Sequence, residues 1–176
     1  LLAQAGWALA AGLPTGGQVV GGSGRIAQQG STLTVQQDSA RLVTNWQSFS
    51  IGAGNTVQFV QPSASAVALN RVLGADVSSI QGALRSNGQV FLLNPNGILF
   101  GANARVDTGG LVASTLAMSD ADFMAGRYRL QGSSTAAVEN RGSIEAPGGA
   151  AALVAARVVN EGSISADRGQ VALVSA

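Results

Sequence analysis

Asp120 and Asp122 are the carboxylates whose spacing could suggest a paired acid and base for glycoside chemistry. Their setting offers a simpler account. Ser119-Asp120-Ala121-Asp122 matches a capping box ahead of Phe123-Met124, and Gly126 closes it, so both acids belong to one helical turn. Asp38, Asp76, Asp107 and Asp167 are scattered, with no spacing that would gather them into a calcium loop, and each is read as a turn-former. Gly21-Gly22-Ser23-Gly24 lacks the Gly-Lys-Ser/Thr of a phosphate loop and the third spaced glycine of a dinucleotide site, so it too reads as a turn. The chain has no His, no Cys and no Lys, which removes the imidazole base, the thiolate, the Schiff base and every His or Cys metal site. Ten Arg face nine acids, for a net charge of +1, and the Arg run evenly from Arg25 to Arg168. Without a basic patch, nucleic acid and anionic membrane are poor partners. No enzyme activity, cofactor or metal is expected.

The elements that carry these residues belong to a packing sequence. Of 176 residues 46% are hydrophobic, 24 are Gly, and the mean hydropathy is +0.26, which fits one domain with a sizeable core. Zero Cys suits either the cytosol or a Gram-negative export route in which the chain stays unfolded until late. Residues 1–10 are mildly apolar and end in Ala8-Leu9-Ala10, a small-x-small pattern. They read as the tail of an export signal or as an N-terminal capping strand. No run approaches the ~20 apolar residues of a membrane-spanning helix.

An internal repeat decides the architecture. Residues 140–156 align with residues 160–176 at a period of twenty, with ten of seventeen positions identical, from Asn140-Arg-Gly-Ser-Ile144 and Asn160-Glu-Gly-Ser-Ile164 onward. Each copy alternates short apolar segments with Gly, Asn or Asp, and nowhere keeps the 3.6 period of a helix. The same texture runs upstream in Thr32-Leu-Thr-Val35, Phe49-Ser-Ile51, Val57-Gln-Phe-Val60, Val67-Ala-Leu69, Gln89-Val-Phe-Leu-Leu93, Ile98-Leu-Phe100 and Arg105-Val-Asp107. Short strands at this period predict a parallel β-helix, with about eight coils stacked into a rod about 40 Å long. An antiparallel sandwich or barrel would not require identity between successive segments. Ile144 and Ile164 should then point inward at equivalent positions. Asn140 and Asn160 should pair as a ladder between coils.

The capping-box segment is the exception, a helical turn outside the rod from which Tyr128-Arg129-Leu130 could return as an edge strand. Strand 90–93 is apolar on both faces, so something must cover its outer face, and this excursion is the expected cover.

Asn94-Pro95-Asn96-Gly97-Ile98 sits between Phe91-Leu92-Leu93 and Leu99-Phe100. Asn at the first position, Pro at the second and Gly at the fourth specify a turn on local grounds alone. The stretch from Gly88 to Gly101, followed by Gly110-Leu-Val-Ala-Ser-Thr-Leu116, resembles the secretion domain of two-partner secretion exoproteins, the filamentous haemagglutinin and high-molecular-weight adhesin families. The resemblance covers nearly the whole chain. It runs from Leu13-Pro-Thr-Gly-Gly-Gln-Val-Val20 through Asn45-Trp46, Phe49, residues 61–72 and Ser119-Asp-Ala-Asp-Phe123 to the Asn-x-Gly-Ser-Ile repeats.

That resemblance implies a protein secreted by a Gram-negative bacterium through the periplasm, or held on its surface. Its N-terminal β-helical domain would be recognised by a dedicated outer-membrane β-barrel transporter with periplasmic binding domains. A longer adhesin or toxin passenger would follow and could reach a host cell surface. Two Asn-Pro-Asn motifs are often described in the family. Here only the one at Asn94 is present, and Leu69-Asn70-Arg71-Val72 stands in the upstream region, a departure that points toward the high-molecular-weight adhesin branch. The candidate partner-binding residues are therefore Asn70, Arg71, Asn94, Pro95, Asn96, Gly97 and Ile98, in a recognition role or a purely structural one.

The reading from sequence is a right-handed parallel β-helix over residues 11–176 acting as a secretion signal without catalysis. A stand-alone carbohydrate- or cell-binding adhesin and a polysaccharide-degrading β-helix enzyme are the alternatives. The chain stops inside an apolar strand repeat, Val171-Ala-Leu-Val-Ser-Ala176, with no polar cap, so the natural protein is expected to continue.

Overall fold

The computed structural model describes residues 12–176, and the segment read as an export-signal tail or capping strand lies outside them. In chain order the strands are β1 (Gln18–Gly21), β2 (Gly24–Gln29), β3 (Thr32–Gln37), β4 (Arg41–Trp46), β5 (Thr56–Val60), β6 (Val67–Val72), β7 (Ser78–Ile80), β8 (Ala83–Ser86) and β9 (Gln89–Leu93). There follow β10 (Ile98–Phe100), β11 (Arg105–Asp107), β12 (Gly110–Ser114), the helix α1 (Asp120–Met124), β13 (Ala137–Asn140), β14 (Ser143–Glu145), β15 (Ala151–Ala155), β16 (Arg157–Asn160), β17 (Ser163–Ser165) and β18 (Val171–Ser175). They form three walls. One runs β1-β4-β6-β9-β12-β15-β18, the second β17-β14-β11-β8-β5-β3-β2, and the third, of four strands, β16-β13-β10-β7. This is a β-solenoid of about seven turns, one fewer than expected from the sequence.

Pairing between successive coils is parallel, and two antiparallel pairs close the N-terminal end. β2 and β3 form a hairpin, and β1 lies antiparallel on β4. The turn at residues 21–24 joins β1 to β2, as the glycine-rich stretch requires. β3 shows why these segments are strands: Leu33, Val35 and Gln37 are buried while Thr32, Thr34 and Gln36 are half-buried, the period of two that a sheet with one wet face demands.

Register turns that alternation into columns. In the second wall Leu33 stands beside Val57, Val57 beside Leu84, Leu84 beside Val106, Val106 beside Ile144 and Ile144 beside Ile164. Residues 33, 57, 84, 106 and 144 of this column are buried, and Ile164 packs against them from the last coil. The repeat aligned in the sequence is therefore the physical register. The expected amide ladder is present as well: Asn140 is buried and its Nδ2 donates to Asn160 Oδ1 at 3.0 Å, while its own Oδ1 accepts from Gly142 N at 3.0 Å. The glycine that follows in each copy has a packing reason, since a Cβ on Gly162 would collide with the Gly142 carbonyl oxygen of the coil beside it.

Three expectations need correction. Phe49-Ser50-Ile51 is not a strand but a corner, with one bridge from Ile51 to Ile80, because Phe49 turns inward against Trp46 with ring centroids 5.5 Å apart. Asp107 is an outward strand residue of β11 rather than a turn-former. Residues 128–130 form no strand: the β-type pairing within the excursion is the antiparallel bridge between Ala117 and Gln131. The cause is topological. β6, β9 and β12 each already have hydrogen-bonded neighbours on both sides, so a returning segment can cover their face but finds no edge to pair with.

Removing buried methyl groups from the second-wall column should register in proportion to burial. Ile144→Ala is expected to cost about 2–5 kcal/mol in urea unfolding, and Ile164→Ala distinctly less because its site is still partly wet. The outward Glu145→Ser should leave the midpoint almost unchanged.

Candidate functional site

The first and third walls meet at a corner made by successive turns, residues 73–77 after β6, residues 94–97 after β9 and residues 115–136 after β12. The middle turn carries most of the candidate residues. Gly97 N donates to Asn94 O at 3.1 Å, closing the turn, and Gly97 takes φ +121, a value that favours glycine. Asn94 Oδ1 accepts from the backbone N of Asn96 at 2.9 Å, the side-chain mimic of a second turn.

The amides of this turn grip the coil on one side. Asn94 is fully buried, and its Nδ2 donates to Asp76 O and Ser78 Oγ, each at 2.9 Å. Asn96 Nδ2 donates to Gly74 O at 2.7 Å and to Asn94 Oδ1 at 2.9 Å. On the other side Asn94 N donates to Ser114 O at 3.0 Å, and the Ser134 hydroxyl donates to Pro95 O at 2.6 Å. Asn94 thus fills both amide protons and both lone pairs of its side chain within the chain, the full capacity of the group. Ile98 is buried in the core, Gly97 is buried, and Pro95 is exposed.

Asn70 and Arg71, neighbours on β6, point to opposite faces as strand geometry requires. Asn70 points inward and is fully buried: its Oδ1 accepts from Trp46 Nε1 at 2.9 Å and its Nδ2 donates to Phe91 O at 3.2 Å. Arg71 points outward. It donates to Asn45 Oδ1 at 2.9 Å and Met118 O at 2.8 Å, and pairs with Asp120 at 2.5 Å. The guanidinium therefore fastens the start of the excursion to the wall. The structure places Arg71 with Asp120 and gathers residues 94–98 into one turn, but it sets Asn70 apart in the interior, against Trp46.

The excursion is the expected cover. Ser119 caps α1, accepting from Asp122 N at 3.1 Å, and Asp122 pairs with Arg127 at 3.2 Å and Arg129 at 3.7 Å, so both candidate carboxylates are engaged by arginine. Phe123 is buried beside Phe91, with ring centroids 5.9 Å apart, and Tyr128 lies 5.1 Å from Phe91. Val43, Val67, Leu69, Leu93 and Met118 complete this second core on the outside of the first wall.

A further polar cluster escaped the sequence reading. Buried Gln37 and Gln61 meet through Gln61 Nε2 and Gln37 Oε1 at 3.1 Å, Gln61 Oε1 accepts from Gly88 N at 2.8 Å, and Asn87 exchanges two hydrogen bonds with the Gln61 backbone. The alternation that buries Leu33 and Val35 carries Gln37 inward with them, a signal the sequence reading did not use, whereas Gln61 lies past the end of β5, where no periodicity points it inward. Among the described residues no group of three His, Cys, Asp or Glu is placed to hold a metal ion.

By class this is a parallel β-solenoid whose buried amides are spent on partners within the chain, with a packed excursion over one wall. The TPS secretion domain model matches residues 10–176, and the chain belongs to that family. The crystal structure of the HMW1 secretion domain from Haemophilus influenzae superposes with a TM-score of 0.88 at 34% identity, over 92% of this chain and 44% of that one. A heme/hemopexin-binding protein of Haemophilus influenzae is 41% identical over 109 residues, 62% of this chain but only 12% of that protein. The filamentous hemagglutinin secretion domain gives a TM-score of 0.48 at 12% identity. Exoproteins with this domain are secreted by the two-partner route from Gram-negative bacteria, and the domain's role is in secretion.

The Arg71 clip has a direct readout. Arg71→Ala should raise the rate of tryptic cleavage at Arg127 and Arg129 severalfold while the far-ultraviolet β spectrum is retained. Cleavage at the wild-type rate would mean that the apolar cover alone holds the excursion.

Proposed function

We propose that this domain is the secretion signal of a larger exoprotein, recognised by a partner outer-membrane β-barrel transporter, and that it then starts the folding of the β-helix outside the cell. The observation that carries the reading is the family match across residues 10–176. Transport requires an extended chain, and a solenoid suits that requirement because each coil needs only the preceding one as its template.

In this reading the passenger, and any contact it makes with a host cell, belong to the larger exoprotein rather than to this domain.

Haem chemistry is not assigned to this segment. It has no His or Cys, and of its two Met one is buried under the excursion, leaving Met124 and Tyr128 as the exposed side chains able to ligate iron.

Within this reading Asn94, Asn96, Gly97 and Ile98 act on export by building the corner, with Pro95 as its outward atoms, and Arg71 acts by holding the excursion. Asn70 acts by fixing Trp46. The test is co-expression with the partner transporter, measuring secreted against periplasmic protein for Asn94→Ala, Asn96→Asp and Arg71→Ala beside the melting temperature of each purified domain. Export should fall in step with stability. Loss of export at unchanged stability would assign direct recognition to the altered residue, and full export of all three would remove these positions from secretion.

A further inference from the structure

The sequence contains two Asn-Gly steps, Asn87-Gly88 and Asn96-Gly97. In an unrestrained chain such a step modifies itself. The glycine nitrogen, having lost its proton, attacks the Asn Cγ; the new C–N bond closes a five-membered imide, the Cγ–Nδ2 bond breaks, and ammonia leaves with the proton. Water then opens the imide at either carbonyl to give Asp or isoaspartate. Glycine permits the attack because no Cβ crowds the nitrogen. Two freedoms are needed: an unengaged glycine N–H and an Asn side chain able to swing onto it.

The fold removes both at each step. Gly97 N is bonded to Asn94 O at 3.1 Å, and Asn96 Nδ2 is held by Gly74 O at 2.7 Å and Asn94 Oδ1 at 2.9 Å. Gly88 N is bonded to Gln61 Oε1 at 2.8 Å, and Asn87 Nδ2 to Gln61 O at 2.7 Å. We propose that Asn96-Gly97 is a conformation-gated deamidation site, open while the chain is unfolded and closed by the corner turn once the coil has formed.

Conversion at Asn96 cannot be absorbed afterwards. The Nδ2 that is lost is the donor to Gly74 O, with Asp76 O a further acceptor at 3.4 Å, so a carboxylate there would face Gly74 O, Asp76 O and Asn94 Oδ1 with no proton to share. Isoaspartate would also lengthen the backbone inside a four-residue turn. A chain that folds late would therefore fold with a broken corner, which sets a limit on the time this domain can spend unfolded.

The experiment compares the purified 176-residue chain held in urea at mildly alkaline pH with the folded domain in the same buffer without urea. Peptide mass spectrometry reads the amide-to-acid change at Asn96 and Asn87, with exposed Asn103, which precedes Ala104, as the internal reference. Conversion of Asn96 should be at least about tenfold faster in urea than in the fold, with Asn103 slow in both. Refolded aged material should melt lower in proportion to its converted Asn96. Asn96→Gln, aged identically, should lose less stability than the aged wild type, keeping only the loss owed to Asn87, because the longer side chain cyclises poorly. Equal Asn96 rates in the two states would overturn the proposal. So would an aged Asn96→Gln sample that loses as much stability as the aged wild type.

Discussion

In-register stacking of one coil on the next is the constraint from which the rest of this structure follows. Parallel pairing places each residue beside its equivalent in the neighbouring coil, so a side chain suited to one coil must suit the column. The column of residues 33, 57, 84, 106, 144 and 164 satisfies this with branched aliphatic side chains in every coil. Where a polar residue enters a column its partner must answer it, as Asn160 answers Asn140. Without such an answer a buried amide would cost about 1–3 kcal/mol.

Corners are where stacking is hardest, because the backbone there leaves the ladder and its polar groups lose their partners. The protein meets this with side-chain amides. Asn94 and Asn96 serve the carbonyls of residues 74 and 76, while Gln37, Gln61 and Asn87 do the same at another corner. An amide is well suited to the task, since it offers donor and acceptor together and stays uncharged. Residues 94–98 therefore look inward for most of their chemistry.

The first wall departs from a solvated solenoid in having apolar side chains on both faces, and the excursion makes that departure stable. Phe123 and Tyr128 close over Phe91, and Arg71 ties the backbone at Met118 and the carboxylate of Asp120 to the wall. The largely apolar second core and a part-exposed ion pair cooperate here. Exposed pairs contribute little by themselves, so the arginine sets where the cover sits more than how strongly it holds.

By itself the sequence determined the repeat, and with it the solenoid, the register of Ile144 with Ile164, the Asn140 ladder, the turn at Asn94 and the capped helix at Ser119. These follow from local geometry or from identity at fixed spacing, both of which are written along the chain. It also showed that strand 90–93 needed a cover. Tertiary structure alone decided that the covering segment lies flat without pairing as a strand, that Phe49 marks a corner, and that Asn70 and Arg71, adjacent in sequence, serve different cores. It decided as well that Gln61, past the end of β5, points inward to meet Gln37. The physical reason is common to these cases. Which face of a strand is wet, and which carbonyls at a corner lack partners, depends on what the neighbouring coils and the excursion already occupy, and no local pattern records that.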